Sequence, residues 1–181
     1  MRVMTDHFIA VIDPDVAADR ARRVAETVVR RLVDAGHLLD EPDERHGLGK
    51  PAHPPGPNAP SDIDPFLPNG MDVSIGPDAY GFAQGDPKAS CPSCGTGIPE
   101  NDIIDMFRGW RSREFDGRYR CESCGTGTHA NDLAWQDVEP VFAELCFTFW
   151  NWPPDTSEVD EMVAEIADVT GHTIMARMGT L

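Results

Sequence analysis

Phe142-Ala-Glu-Leu145-Cys-Phe147-Thr-Phe149-Trp-Asn-Trp152 is the most apolar run of the 181-residue chain. Leu145, Phe147 and Phe149 alternate with Glu144, Cys146, Thr148 and Trp150, the period of two that sends successive side chains to opposite faces of a strand. With apolar groups on both faces the strand belongs in the middle of a sheet, and Leu145, Phe147 and Phe149 are expected to face covering helices. Pro153-Pro154 cannot donate ladder hydrogen bonds and ends the strand. Asp155, with Glu158 three residues on, forms a capping-box-like helix start. The helix that follows presents Val159, Met162, Val163, Ile166 and Val169 on one face, and Gly171 closes it. Thr173 to Met178 reads as a last strand at the sheet edge.

The other half of the chain repeats this order. His7 to Ile12 is a β-rich apolar run, and Asp13-Pro14 directly after it suits an N-cap and a first helical residue. Ala17, Ala21, Val24, Ala25, Val28 and Leu32 then recur at helical spacing from Pro14 to Ala35, with Gly36 as the stop. Met71, Val73 and Ile75 alternate with Asp72 and Ser74 as a second strand, which Gly76-Pro77-Asp78 is expected to end. Between helix and strand, residues 40–70 carry Pro51, Pro54, Pro55, Pro57, Pro60, Pro65 and Pro68, a long loop that can form neither helix nor central strand. His46, His53, Asp62 and Asp64 lie in it without any recognised ligand spacing and read as solvated loop residues.

Two thiol pairs stand between these halves: Cys91-Pro-Ser-Cys94-Gly95 and Cys121-Glu-Ser-Cys124-Gly125. Cys-x-x-Cys lets one tight turn aim two thiolates at one ion, and two such turns complete the tetrahedron that zinc prefers. Gly95 and Gly125 supply the positive φ that lets each turn continue. A disulfide framework fits poorly, because five cysteines cannot all pair and the opening Met1-Arg-Val-Met-Thr-Asp-His-Phe lacks a signal-peptide core. Iron in a rubredoxin-like site and a redox dithiol are the alternative readings of the same four residues. A shell of four cysteines leaves no position for a bound water, the mark of a structural site. His129 is a substitute ligand only if a cysteine is lost. Between the pairs, Pro99 to Phe107 reads as a short helix, and Trp110 to Phe115 with Arg118 to Cys121 as a hairpin joined by Asp116-Gly117.

The order strand, helix, strand, thiol unit, strand, helix, strand points to an α+β chain with a ferredoxin-like βαββαβ sheet and a zinc ribbon inserted between strands 2 and 3. The sheet domain would comprise residues 1–87 and 136–181, and the ribbon residues 88–135. Each thiol turn resembles the knuckle of the zinc-ribbon and rubredoxin-like group, which implies a fold element and one structural zinc but no activity. Phe147-Thr-Phe-Trp-Asn-Trp-Pro-Pro154, with the strand-helix opening and the paired knuckles, also resembles a family of uncharacterised bacterial proteins sometimes labelled sugar-transporter ATPases. That label implies nucleotide binding, yet no Gly-x-x-x-x-Gly-Lys-Ser/Thr loop occurs in the chain.

No apolar run approaches a membrane span, and the chain reads as cytoplasmic. A net charge of −16 repels nucleic acid and anionic membranes and favours a protein partner. The one contrary feature is the ribbon, where Arg108, Arg111, Arg113, Arg118 and Arg120 interleave with Trp110, Phe115 and Tyr119, a pattern open to a nucleic-acid-associated regulator. Covering apolar surface with arginine stems is the plainer reading. No His-Glu-x-x-His, Gly-x-Ser-x-Gly or deaminase signature is present. Cys146, within an apolar strand, should be an inert thiol, and His172 should simply favour the negative end of the preceding helix. The expectation is a zinc-stabilised protein-interaction or regulatory module, not an enzyme. Trp150, Trp152, Arg108, Arg111 and Arg113 are the candidate partner-binding residues. An enzyme would need a site near the 40–70 loop.

Overall fold

The computed structural model describes residues 5–81 and 85–181. It is a mixed α+β structure with three α-helices and antiparallel sheets. In chain order the elements are β1 (His7–Asp13), α1 (Ala18–Asp34), β2 (Met71–Tyr80), β3 (Lys88–Ser90), α2 (Glu100–Ser112), β4 (Arg118–Arg120), β5 (Gly127–His129), β6 (Ala134–Gln136), β7 (Val141–Trp150), α3 (Ser157–Thr170) and β8 (Met175–Thr180). β1, β2, β7 and β8 form one antiparallel sheet in the order β2-β7-β1-β8. β3 pairs with β6 and β4 with β5 in two small ribbons.

The apolar run from Phe142 forms the inner strand β7, flanked by β1 and β2. Leu145, Phe147 and Phe149 pack with Ile9 and Val11 of β1 against Ala21, Ala25, Val28 and Leu32 of α1 and Val159, Met162 and Ile166 of α3. The helix-facing set is therefore the one the alternation assigns.

Several boundaries depart from expectation for local physical reasons. α1 begins at Ala18 with Ala17 as an uncapped N-terminus. Asp13 does not cap it. Its Oδ1 instead accepts from the amides of Asp15 and Val16, each at 3.0 Å, and the carboxylate also meets His172. Gly76-Pro77 does not end β2, which continues to Tyr80 across a register shift between Ile75 and Asp78. An edge strand tolerates a proline within a bulge because no ladder bond is lost there. α3 is capped by Thr156, whose hydroxyl accepts from Val159 N at 3.4 Å, and not by Asp155. β8 lies two residues later than the alternation suggests.

The proline-rich loop is joined to β2 by the bridge His53↔Met71 and folded on itself by Leu38↔Pro55 and Asp43↔Ala52. Gly56 packs so closely on Gly36 that an added Cβ would lie 2.3 Å from the Gly36 carbonyl oxygen. Trp152 closes the loop from below. It is fully buried, stands edge-on to Phe149 at 5.2 Å, and donates its indole N–H to the Asn69 carbonyl.

Each rim of the sheet meets a cation. Lys50 Nζ donates to the Val73 carbonyl on the β2 rim at 3.2 Å, and Arg177 donates to the Ala176 carbonyl on β8 at 3.2 Å. No helix among the described residues is long and apolar enough to cross a membrane.

Candidate metal centre

The two thiol turns have the same internal construction. Cys91 N donates to Thr96 O at 2.9 Å and Gly95 N to Cys91 O at 2.8 Å; Cys121 N to Thr126 O and Gly125 N to Cys121 O repeat both distances. Gly95 and Gly125 both sit at φ 74, the left-handed region, with open space where a Cβ would stand. Backbone conformation, not crowding, selects glycine there. Their amides are spent on the cysteine carbonyls.

The turns face one another so that Cys91 Sγ lies 3.8 Å from Cys124 Sγ and Cys94 Sγ 3.7 Å from Cys121 Sγ. All four sulfurs lie within 4.8 Å of one another. A tetrahedron with Zn–S near 2.3 Å has an S···S edge of about 3.8 Å, while a disulfide needs about 2.05 Å. The spacing fits a shared metal ion and excludes cross-links, and all five cysteines are free thiols. Among the described residues this is the only cluster of metal-ligating side chains.

Cys91 and Cys121 are buried, and Cys94 and Cys124 exposed. The exposed pair is electrostatically prepared. The Thr126 hydroxyl, 3.3 Å from Cys124 Sγ, together with the Thr126 amide, brings that thiol down to about 6. Thr96 stands at the same distance from Cys94 and lowers it too, through hydroxyl and amide. For Cys121 the Cys124 amide pulls down, yet burial and the neighbouring sulfurs win and raise it to about 11. The thiolate, not the thiol, is the metal ligand. These threonines were missed in the sequence reading, although both turns in fact read Cys-x-Ser-Cys-Gly-Thr-Gly and the repeat runs two residues past the glycine.

The segment between the turns corrects the hairpin expectation. α2 extends to Ser112 and absorbs Trp110, because Ile103, Met106, Phe107 and Trp110 keep helical spacing, and Arg113 ends the helix in the left-handed region at φ 62. Arg118–Arg120 pairs instead with Gly127–His129, beyond the second turn. His129 accepts from Asn131 N through Nδ1 at 3.2 Å and is no part of the sulfur cluster.

The segment is fastened to the sheet at one residue above all. Phe142 of β7 is ringed by Phe107, Trp110, Phe115 and Trp135, with ring centroids 5.2, 6.0, 6.4 and 6.3 Å away. Asn131 bonds both the N–H and the C=O of Phe142, at 2.8 and 3.0 Å.

Among the candidate partner-binding residues, Trp152 is excluded by burial. Trp150 is half-buried, with its indole N–H on Asp72 Oδ2 at 2.7 Å and its ring edge-on to Phe8. Arg111 is held by Asp78 at 2.7 Å, and Arg113 makes a two-point bond to Glu144. Both arginines are held by carboxylates of the sheet, with side chains 57% and 55% exposed. Arg108 is exposed and, among the described residues, makes no such pair.

The remaining sequence candidates are dispersed. His46 Nδ1 lies 2.6 Å from Asn69 Oδ1, and His53 Nδ1 lies 3.1 Å from the Leu39 carbonyl. Asp64 accepts from Phe66 N in a local turn. Cys146 is buried, and burial pushes its thiol up to about 12. His172 does not serve the helix end; its Nδ1 lies 3.0 Å from Asp13 Oδ2.

No family model, characterised protein or solved structure matches the chain, so the cysteine cluster alone supports a zinc-ribbon-like likeness and the bacterial-family resemblance stands without support.

Proposed function

We propose that this chain is a zinc-stabilised protein-interaction or regulatory module without catalytic activity, a ferredoxin-like sheet into which residues 88–135 insert as a zinc ribbon. The strand order β2-β7-β1-β8, wholly antiparallel with α1 and α3 on one face, supports the sheet assignment. The observation that carries the metal reading is the four-sulfur cluster, whose members Cys91, Cys94, Cys121 and Cys124 lie at distances suited to one tetrahedral ion. Zinc bound there would supply a fixed link between the turns. A shell made wholly of thiolates leaves no open position for substrate or water, which favours a structural role.

The Cys146 thiol, held neutral by burial, gives no nucleophile in its place. The nucleic-acid reading is weakened by Arg111 and Arg113, two of its five arginines, being committed to Asp78 and Glu144. An enzyme near the 40–70 loop lacks support from its histidines, which are bonded singly and apart.

Metal analysis of protein purified without added metal tests the centre, with one zinc per chain expected. Iron, or metal-free protein that is fully folded, would overturn it. The interaction role is tested by comparing wild type with Cys94→Ser for partner capture from a lysate, the variant being expected to lose partners that depend on the insertion.

A further inference from the structure

The two helices that cover the sheet carry opposite charge. α1 holds Arg20, Arg22, Arg23, Arg30 and Arg31 against Asp19, Glu26 and Asp34, whereas α3 holds Glu158, Asp160, Glu161, Glu165 and Asp168 and no basic residue. At about 100° per residue, Arg20, Arg23, Thr27, Arg30 and Arg31 fall in one stripe along α1, and all are exposed. Only Arg31 among these arginines approaches a carboxylate within the described residues, Glu165 at 3.9 Å across the seam. Five of the chain's 15 basic residues thus gather, almost unpaired, on one helix of a molecule with net charge −16.

We infer that the partner fitted to this surface is a second copy of the same chain. A two-fold axis running along the seam between α1 and α3 places the α1 of each copy over the α3 of the other, so the arginine stripe meets the acidic row twice. Val24 and Val169, each partly exposed on the seam side of its helix, supply apolar contact between the charges. A polyanion suits the surface less well, since any strand long enough to follow the stripe meets the acids of α3 in the same layer. The inference stands apart from the metal reading and does not require the centre to be loaded.

Exposed ion pairs are individually weak and screened by salt, so the dimer should form at high protein concentration and loosen on the order of tenfold or more between about 20 and about 500 mM salt. Sedimentation equilibrium of the full chain at both salt concentrations reads this directly. Arg23→Glu/Arg30→Glu should be monomeric at low salt, and so should Glu161→Lys/Asp168→Lys. An equimolar mixture of the two variants should regain association, a gain that misfolded protein cannot produce. A chain that stays monomeric at low salt overturns the inference, as does a dimer that Arg23→Glu/Arg30→Glu leaves intact. Salt-sensitive binding of polyuridylate in place of self-association, abolished by the same substitutions, would assign the stripe to a polyanion and overturn it equally.

Discussion

Arg113 closes a two-point ion pair on Glu144, with Nη1 2.6 Å from Oε1 and Nη2 2.9 Å from Oε2. The carboxylate belongs to the inner strand β7 and its side chain is only 11% exposed; Arg113 ends α2 through its backbone, and its side chain is 55% exposed. The pair ties the cysteine-bearing segment to the sheet at the point where neither could satisfy the buried charge alone.

Removing the arginine leaves a largely buried carboxylate without its partner. Arg113→Ala should lower stability, by less than the loss of a fully buried pair would, because solvent screens the exposed guanidinium. Arg113→Lys should recover only part, since an ammonium cannot make the two-point contact. Urea denaturation measures both. Arg108→Ala, at an exposed site that makes no ion pair among the described residues, should change stability by under about 0.5 kcal/mol, and a loss equal to that of Arg113→Ala would contradict the assignment.

Acid should strip metal from the centre, because protons compete with it for the thiolates. The Thr126 hydroxyl and amide together bring the Cys124 thiol down to about 6, so protons compete less well with a metal at that sulfur. Thr126→Ala removes the lowering contact, raises the Cys124 thiol, and lets protons compete at higher pH. The midpoint of zinc release, followed with a chromogenic chelator, should therefore move upward. An unchanged midpoint would show that the hydroxyl does not serve the bound thiolate.

Chelation should unfold the segment around α2 while the helix-side core, from Ile9 to Ile166, stays folded. Phe142 is shared, however, and its aromatic ring of neighbours should disperse with the segment. Trp110 and Trp135 fluorescence should then shift toward the exposed value while most far-UV circular dichroism persists. Complete loss of the helical signal would mean that the two parts fold as one.

Thiol labelling separates the cysteines by chemistry. After chelation at neutral pH, Cys91, Cys94, Cys121 and Cys124 should all alkylate readily, since the unfolded segment no longer buries Cys91 and Cys121. Cys146 should remain unmodified until the chain is denatured, since it is buried and its thiol lies near 12. Mass spectrometry after timed alkylation counts the products.

Trp152→Ala should cost about 3–5 kcal/mol through loss of packing in the core. Trp150→Phe should cost about 1–2 kcal/mol, for the indole bond to buried Asp72. Thermal melts rank the two.

The four-stranded sheet was legible because its strands and helices carry strong periodicity: the alternation through Phe149 and the repeat from Ala21 to Leu32 specify faces without tertiary information. Cysteine spacing likewise announced the four-sulfur cluster. What escaped was decided by distant partners. Trp152 follows Trp150 on a polar-looking chain end, and only the fold of the proline loop beneath Asn69 reveals that it is interior. Asp13 looked like a helix cap because a local rule favours it, but His172, at the opposite end of the chain, competes for the same carboxylate. The Trp110 to Phe115 hairpin failed since Asp116-Gly117 marks a turn without saying which strand will answer it, and the answer came from beyond the second thiol pair.

The cations at the two rims of the sheet bear on how the molecule behaves when crowded. A foreign strand approaching β2 must first strip Lys50 from the Val73 carbonyl, and one approaching β8 must strip Arg177 from Ala176. Each displacement breaks a charge-assisted hydrogen bond before any ladder bond can form. Growth of the sheet by accretion is thereby discouraged at both ends, and the concentrated protein should resist fibril formation most where those two side chains are intact.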